Sequence, residues 1–155
     1  MNFLDAKSEL EKANEVLAAS PSFSDGSIQF QFRIESYSKS VLTVIAGRNL
    51  LQKYHELEYC FRSVHWVDLP DSWEIESANE VPRILLPEMA QDQIRQKSVY
   101  KGNFLVEFPN TMDGSNGLVA AGSVSLLLGT CFHDMRENIE PGQRVAEWVV
   151  TKETG

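Results

Sequence analysis

Residues 54–69 of this 155-residue chain read YHELEYCFRSVHWVDL. Successive side chains of a strand point to opposite faces, so Leu57, Tyr59 and Phe61 share one side and Glu56 and Glu58 the other. Val64 and Trp66 fall out of phase with Phe61. Either a β-bulge near Arg62 and Ser63 resets the register, or both faces are buried from that point on. In both cases the segment demands a packed β scaffold with a wet, acidic side.

The flanking sequence supplies strands to pack with it. Ile28, Phe30, Phe32 and Ile34 alternate with Gln29, Gln31, Arg33 and Glu35, the pattern of a half-buried antiparallel strand. Residues 37–40 turn the chain and residues 41–46 return as the second arm of a hairpin. Pro70, Asp71 and Ser72 make a turn, and 73–81 is irregular or a short edge strand, because Pro82 lacks the donor a central strand needs. Residues 83–86 read as a short strand, 89–97 as a short helix after Pro87, and 99–108 as a strand. Residues 109–117 have the composition of a loop. Residues 118–132 are apolar on both faces, as in a central strand, with Gly122 and Gly129 marking bends or bulges. One helical turn is expected at 133–138 and a last strand at 144–151, with Ala146, Trp148 and Val150 on one face.

At the N-terminus Phe3, Ala6, Leu10, Ala13 and Leu17 recur at spacings of three and four. That is one stripe of an amphipathic helix over about residues 2–19, ended by Ser20-Pro21. The strands follow in hairpin order without long helices between them. The expected fold is α+β and β-rich: a mainly antiparallel curved sheet with one long N-terminal helix packed on it. The chain forms a single domain over 1–155, with a β-rich body at 27–151.

Charge narrows the partners. Asp and Glu number 22 against 14 Lys and Arg, a formal charge of −8. No dense block of Lys and Arg is present to neutralise phosphates, so neither nucleic acid nor an anionic membrane is expected. A partner with a basic surface gains from the field, although such a charge also serves solubility alone. Two cysteines, Cys60 and Cys131, do not make a disulfide scaffold. The N-terminus lacks the features of a secretory signal, and the apolar run at 118–132 is too short and too polar to span a bilayer. The expected location is cytoplasmic.

No catalytic signature emerges. The three histidines, His55, His65 and His133, make a conceivable metal set with the cysteines, but zinc sites show tight paired spacings and none occurs here. No metal and no cofactor are expected. A Cys131 nucleophile would need a neighbouring histidine and an exposed, electropositive setting. Asp113 to Gly117 lack the alternating ligands of a calcium loop and read as turn chemistry. The carboxylates instead point to recognition. Glu56, Glu58, Asp68, Asp71 and Glu74, with Trp73 as a part-exposed anchor, are the candidate partner-binding residues. One alternative is a small-molecule or enzymatic β-barrel-like domain with a pocket near His65, Cys131 and His133. Another is a structural or assembly subunit that uses the N-terminal helix as its oligomer contact.

Phe23-x-Asp25, Ile28, Leu42-x-Val44 and Leu57-x-Tyr59-x-Phe61-x-x-Val64 together resemble small bacterial immunity proteins of polymorphic-toxin systems. In some of these a short F-x-D-like element opens a strand and an aromatic-x-x-Val element closes a β unit. The resemblance spans residues 23–68, under a third of the chain. It implies a cytosolic inhibitor that binds a toxin domain and catalyses nothing. It carries over no toxin-contacting residue, and the oligomeric state stays open.

Overall fold

Lys39 and Ser40 both hold positive φ, 51° and 62°, the backbone that a two-residue hairpin turn needs. They join β1 (Phe30–Ser38) to β2 (Val41–Gly47) in an antiparallel pair, as the alternation predicts. The computed structural model describes residues 1–19, 30–48, 50, 53–76, 80–85, 104–112 and 114–149. The helix expected at 89–97 and the Ser20-Pro21 helix stop lie outside these residues.

The described residues form ten strands and one long helix. The remaining strands are β3 (Tyr54–Arg62), β4 (Trp66–Asp68), β5 (Ser72–Ile75), β6 (Arg83–Leu85), β7 (Phe104–Met112), β8 (Ser115–Ala121), β9 (Ser123–Phe132) and β10 (Arg144–Val145). They make a six-stranded sheet, β10-β9-β3-β2-β1-β5, and a four-stranded sheet, β4-β8-β7-β6. Every pairing is antiparallel except β10 on β9, and the sheets do not close into a barrel.

One bent ribbon connects the two sheets. Ser63 has φ 51° and ends β3; the chain resumes as β4 in the other sheet. The partner strand bends at the same place, at Gly122 between β8 and β9. The corner stays hydrogen bonded: the Gly122 N–H donates to the carbonyls of Arg62 (3.0 Å) and Ser63 (3.2 Å), and the His65 N–H donates to Ala120 O at 2.8 Å. This break is the physical source of the phase change between Phe61 and Val64, both of which are buried.

The core lies between the two sheets. Phe108 of β7 meets four rings of the other sheet edge-on: Phe32, Tyr59, Phe61 and Trp73, with centroids 5.4–6.3 Å away. The helix α1 (Phe3–Ala18) covers an end of this core with Ala6, Leu10, Ala13 and Leu17, all buried, against β9 and β6. Asn2 caps it by accepting the Asp5 N–H at 2.9 Å. These four positions of its stripe pack within the chain. Glu9 of the same helix accepts the Leu126 N–H at 3.0 Å, satisfying a donor of β9 that has no partner strand at that point among the described residues.

Several expectations are corrected. The arms of the β7–β8 hairpin extend through most of 109–117, because Asn110 absorbs the bend with φ 54° and its N–H is held by the Asn116 side chain at 3.0 Å. The run at 118–132 is two strands. Leu118 to Ala121 are buried, but Leu127 and Leu128 of β9 are 50% and 43% exposed, since β10 flanks β9 only at Cys131 and Phe132. Residues 133–138 form bends without a helical turn. The last strand stops at Val145, after which a single helical turn (Val149 N–H to Ala146 O, 3.0 Å) carries Trp148.

Candidate functional site

A bulge organises the most unusual cluster in the structure. Along the β3–β9 ladder Leu57 faces Leu128, yet His55 faces Cys131. Two residues of β9, Gly129 and Thr130, thus oppose the single Glu56. Gly129 has φ +101°, and a Cβ there would stand 2.5 Å from the Gly142 carbonyl oxygen. Only glycine meets both conditions. A bulge re-aims the side chains beyond it. The extra residue lies on β9, where it leaves Cys131 buried like Val124 although seven residues separate them. The β3 strand keeps its alternation, and along it His55 Nε2 lies 3.1 Å from Glu58 Oε2.

The chain of contacts continues on both sides. His55 Nδ1 lies 2.7 Å from His133 Nε2. Arg144 is drawn in by the parallel β10–β9 pairing opposite Cys131, and its guanidinium donates to Glu58 Oε2 at 2.6 Å. The Trp148 ring stands over both imidazoles, with centroids 6.1 Å from His55 and 5.6 Å from His133. His55 and Cys131 are fully buried. A His55 nitrogen, a Glu58 oxygen and the Cys131 Sγ all lie within 4.8 Å of one another.

Electrostatics fix the roles. The hydrogen bond from His55 and the nearby Arg144 hold the Glu58 carboxyl below its ordinary pKa despite burial. Burial, reinforced by the nearby charges of His55 and Arg33, pushes His133 down to about 4, so its ring is neutral at neutral pH. Burial lifts the Cys131 thiol to about 11. The trio of thiol, imidazole and carboxylate resembles a nucleophilic set in composition, but a buried, protonated thiol is not a nucleophile.

Glu58 and Arg144 also line a groove of about 810 Å³ on the outer side of the six-stranded sheet. Glu35, Thr43, Arg62, Leu127, Glu147 and Trp148 complete most of its wall. Trp148 is 37% exposed.

No family model, curated protein or solved structure matches the chain. Among the described residues no helix is long and apolar enough to cross a membrane.

The structure distributes the sequence-predicted residues over three places. Glu56 and Glu58 sit on β3, where Arg48 (3.1 Å) and Arg144 (2.6 Å) pair with them. Asp68 is exposed on β4 of the other sheet. Asp71 and Glu74 are exposed beside and on the edge strand β5, separated from β3 by β1 and β2. Trp73 is corrected from a surface anchor to a core residue. It is only 8% exposed and stacks on Phe32 at 5.3 Å and 8°, because its position on β5 faces the opposite sheet. Of the alternative pocket, Cys131 and His133 do come together, but His65 is exposed between β3 and β4, at the corner between the sheets. His55 takes its place. The signal that points to His55 is its parity with Leu57 and Tyr59; pairing it with Cys131 required the bulge, and bringing in Arg144 required the parallel strand.

Proposed function

We propose that this chain is a non-enzymatic binding protein that takes a basic segment of a protein partner into the groove on its six-stranded sheet. The form implied by the resemblance over residues 23–68 is a cytosolic, immunity-type inhibitor of a toxin domain. The observation that carries the reading is the composition of the groove. Trp148 and Leu127 offer apolar area to an anchor side chain, and among the lining residues Glu35, Glu58 and Glu147 outnumber Arg62 and Arg144. On a chain of charge −8 this favours cationic partners, and carboxylates match the guanidinium fork. The inert Cys131 thiol supports a role without covalent chemistry.

The test is capture from lysate by the immobilised chain at low and high salt, beside a Glu147→Lys, Trp148→Ala double variant with unchanged far-ultraviolet circular dichroism. A basic protein held by the parent at low salt and lost from the variant is the expected result. Equal retention by both, or no salt-sensitive retention at all, overturns the reading.

A further inference from the structure

We propose that His55, Glu58 and Cys131 bind a divalent transition ion of the zinc class. The argument rests on donor chemistry and geometry. An imidazole, a carboxylate and a sulfur within 4.8 Å of one another are three of the donors zinc takes. The sulfur selects against magnesium and calcium, which prefer oxygen throughout. Two donor atoms at about 2.0–2.1 Å from one tetrahedral ion stand about 3.3 Å apart. His55 Nε2 and Glu58 Oε2 already stand 3.1 Å apart, so this pair needs almost no rearrangement.

The surroundings are those of a supported ligand set. A metal-bound histidine is usually oriented through its second ring nitrogen. Here His55 Nδ1 is engaged by His133 Nε2 at 2.7 Å, which leaves Nε2 aimed at Glu58. The ring and the thiol are fully buried, so neither is free to turn into solvent. Arg144 holds Glu58 in place from the β10 side. Coordination displaces the Cys131 S–H proton, which leaves to the buffer, and His55 changes tautomer. The hydrogen it donates from Nε2 to Glu58 in the free protein is given up, and Nδ1–H donates to His133 Nε2, whose own proton moves to its other nitrogen. The thiolate and the carboxylate then meet the two positive charges of the ion, and because Glu58 also pairs with Arg144 the cluster keeps one net positive charge. The missing sequence signature has a simple cause: the three donors come from two strands whose register is set by the Gly129 bulge, so no short paired spacing arises.

The probe is cobalt(II) alone, added to the full chain after chelator treatment. The expected result is a thiolate-to-cobalt charge-transfer band saturating at one equivalent, displaced by zinc. Cys131→Ser abolishes the band and Cys60→Ser leaves it intact. His133→Gln, a change to a positioning residue, keeps the band but weakens affinity about tenfold or more. Should Cys131→Ser fail to fold, His55→Gln and Glu58→Gln take its place, each expected to weaken cobalt binding at least tenfold. No band in the parent, a band that survives Cys131→Ser, or a band that depends on Cys60 overturns the proposal.

Discussion

Phe108 makes its four edge-on ring contacts across the gap between the sheets, and each partner ring carries part of that interface. Trp73 is the partner farthest out in the sheet, on the edge strand β5, yet it is stacked on Phe32 and 8% exposed. Trp73→Ala should therefore cost about 3–5 kcal/mol in urea unfolding, the range for a large aromatic removed from a core. A loss under about 1 kcal/mol would place the ring at the surface, where its polar neighbours Ser72 and Glu74 suggest it belongs. Tyr59 gives the opposite sign. Its hydroxyl is buried with no hydrogen-bond partner among the described residues, and burial pushes its pKa up. Tyr59→Phe removes an uncompensated polar atom and keeps the ring, so stability should rise by about 1 kcal/mol. A destabilised Tyr59→Phe variant would mean that the hydroxyl is bonded. The inward direction of Leu57, Tyr59 and Phe61 was legible from alternation alone. The inward direction of Trp73 was not, because Pro70, Asp71, Ser72 and Glu74 make its surroundings look like a turn, and packing across the sheets is a non-local fact.

At the scale of elements, α1, the β1–β2 hairpin and the long β3 strand were readable, since each is set by periodicity or turn chemistry within a few residues. The two-sheet arrangement was not. It depends on Ser63 and Gly122 bending paired strands at one corner, and neither residue announces a sheet boundary by itself. The site depends likewise on a single bulge. Gly129 and Gly142 allow that dependence to be tested as a matched pair. Both have positive φ, +101° and +84°, but an added Cβ meets the Gly142 carbonyl at 2.5 Å in the first case and nothing within 4 Å in the second. Gly142→Ala should cost about 1–2 kcal/mol, the left-handed backbone strain alone. Gly129→Ala adds a backbone clash and should cost at least about 2 kcal/mol more, with shifted resonances for His55 and Cys131. Equal costs for the two variants would show that the bulge does not press against the loop at Gly142.

Across the whole molecule, the contact between the two imidazoles ties stability to acid. The folded state holds the His133 pKa at about 4, against 6.5 for the unstructured group. Between those values the unfolded chain binds a proton that the folded chain refuses, so stability rises with pH over the interval. The contribution is complete above pH 6.5 and is lost as pH falls toward 4. Glu58 acts in the same direction lower down: its folded pKa is depressed by His55 and Arg144, so its contribution is present above the ordinary carboxylate range and is lost in stronger acid. The net charge of −8 at neutral pH works against these terms, because protonation relieves repulsion among the carboxylates. The two effects separate in a variant. With a chelator present, the parent should lose about 1–2 kcal/mol of His133-linked stability between pH 6.5 and 4, a figure reduced from the full pKa shift because the ring is partly exposed. His133→Gln should lack that loss and retain the steeper fall below it. Chemical denaturation of both proteins at half-unit pH steps reads the difference directly. Parallel curves for parent and variant would mean that His133 titrates as it does in water, and that the contact between the two imidazoles does not hold in solution.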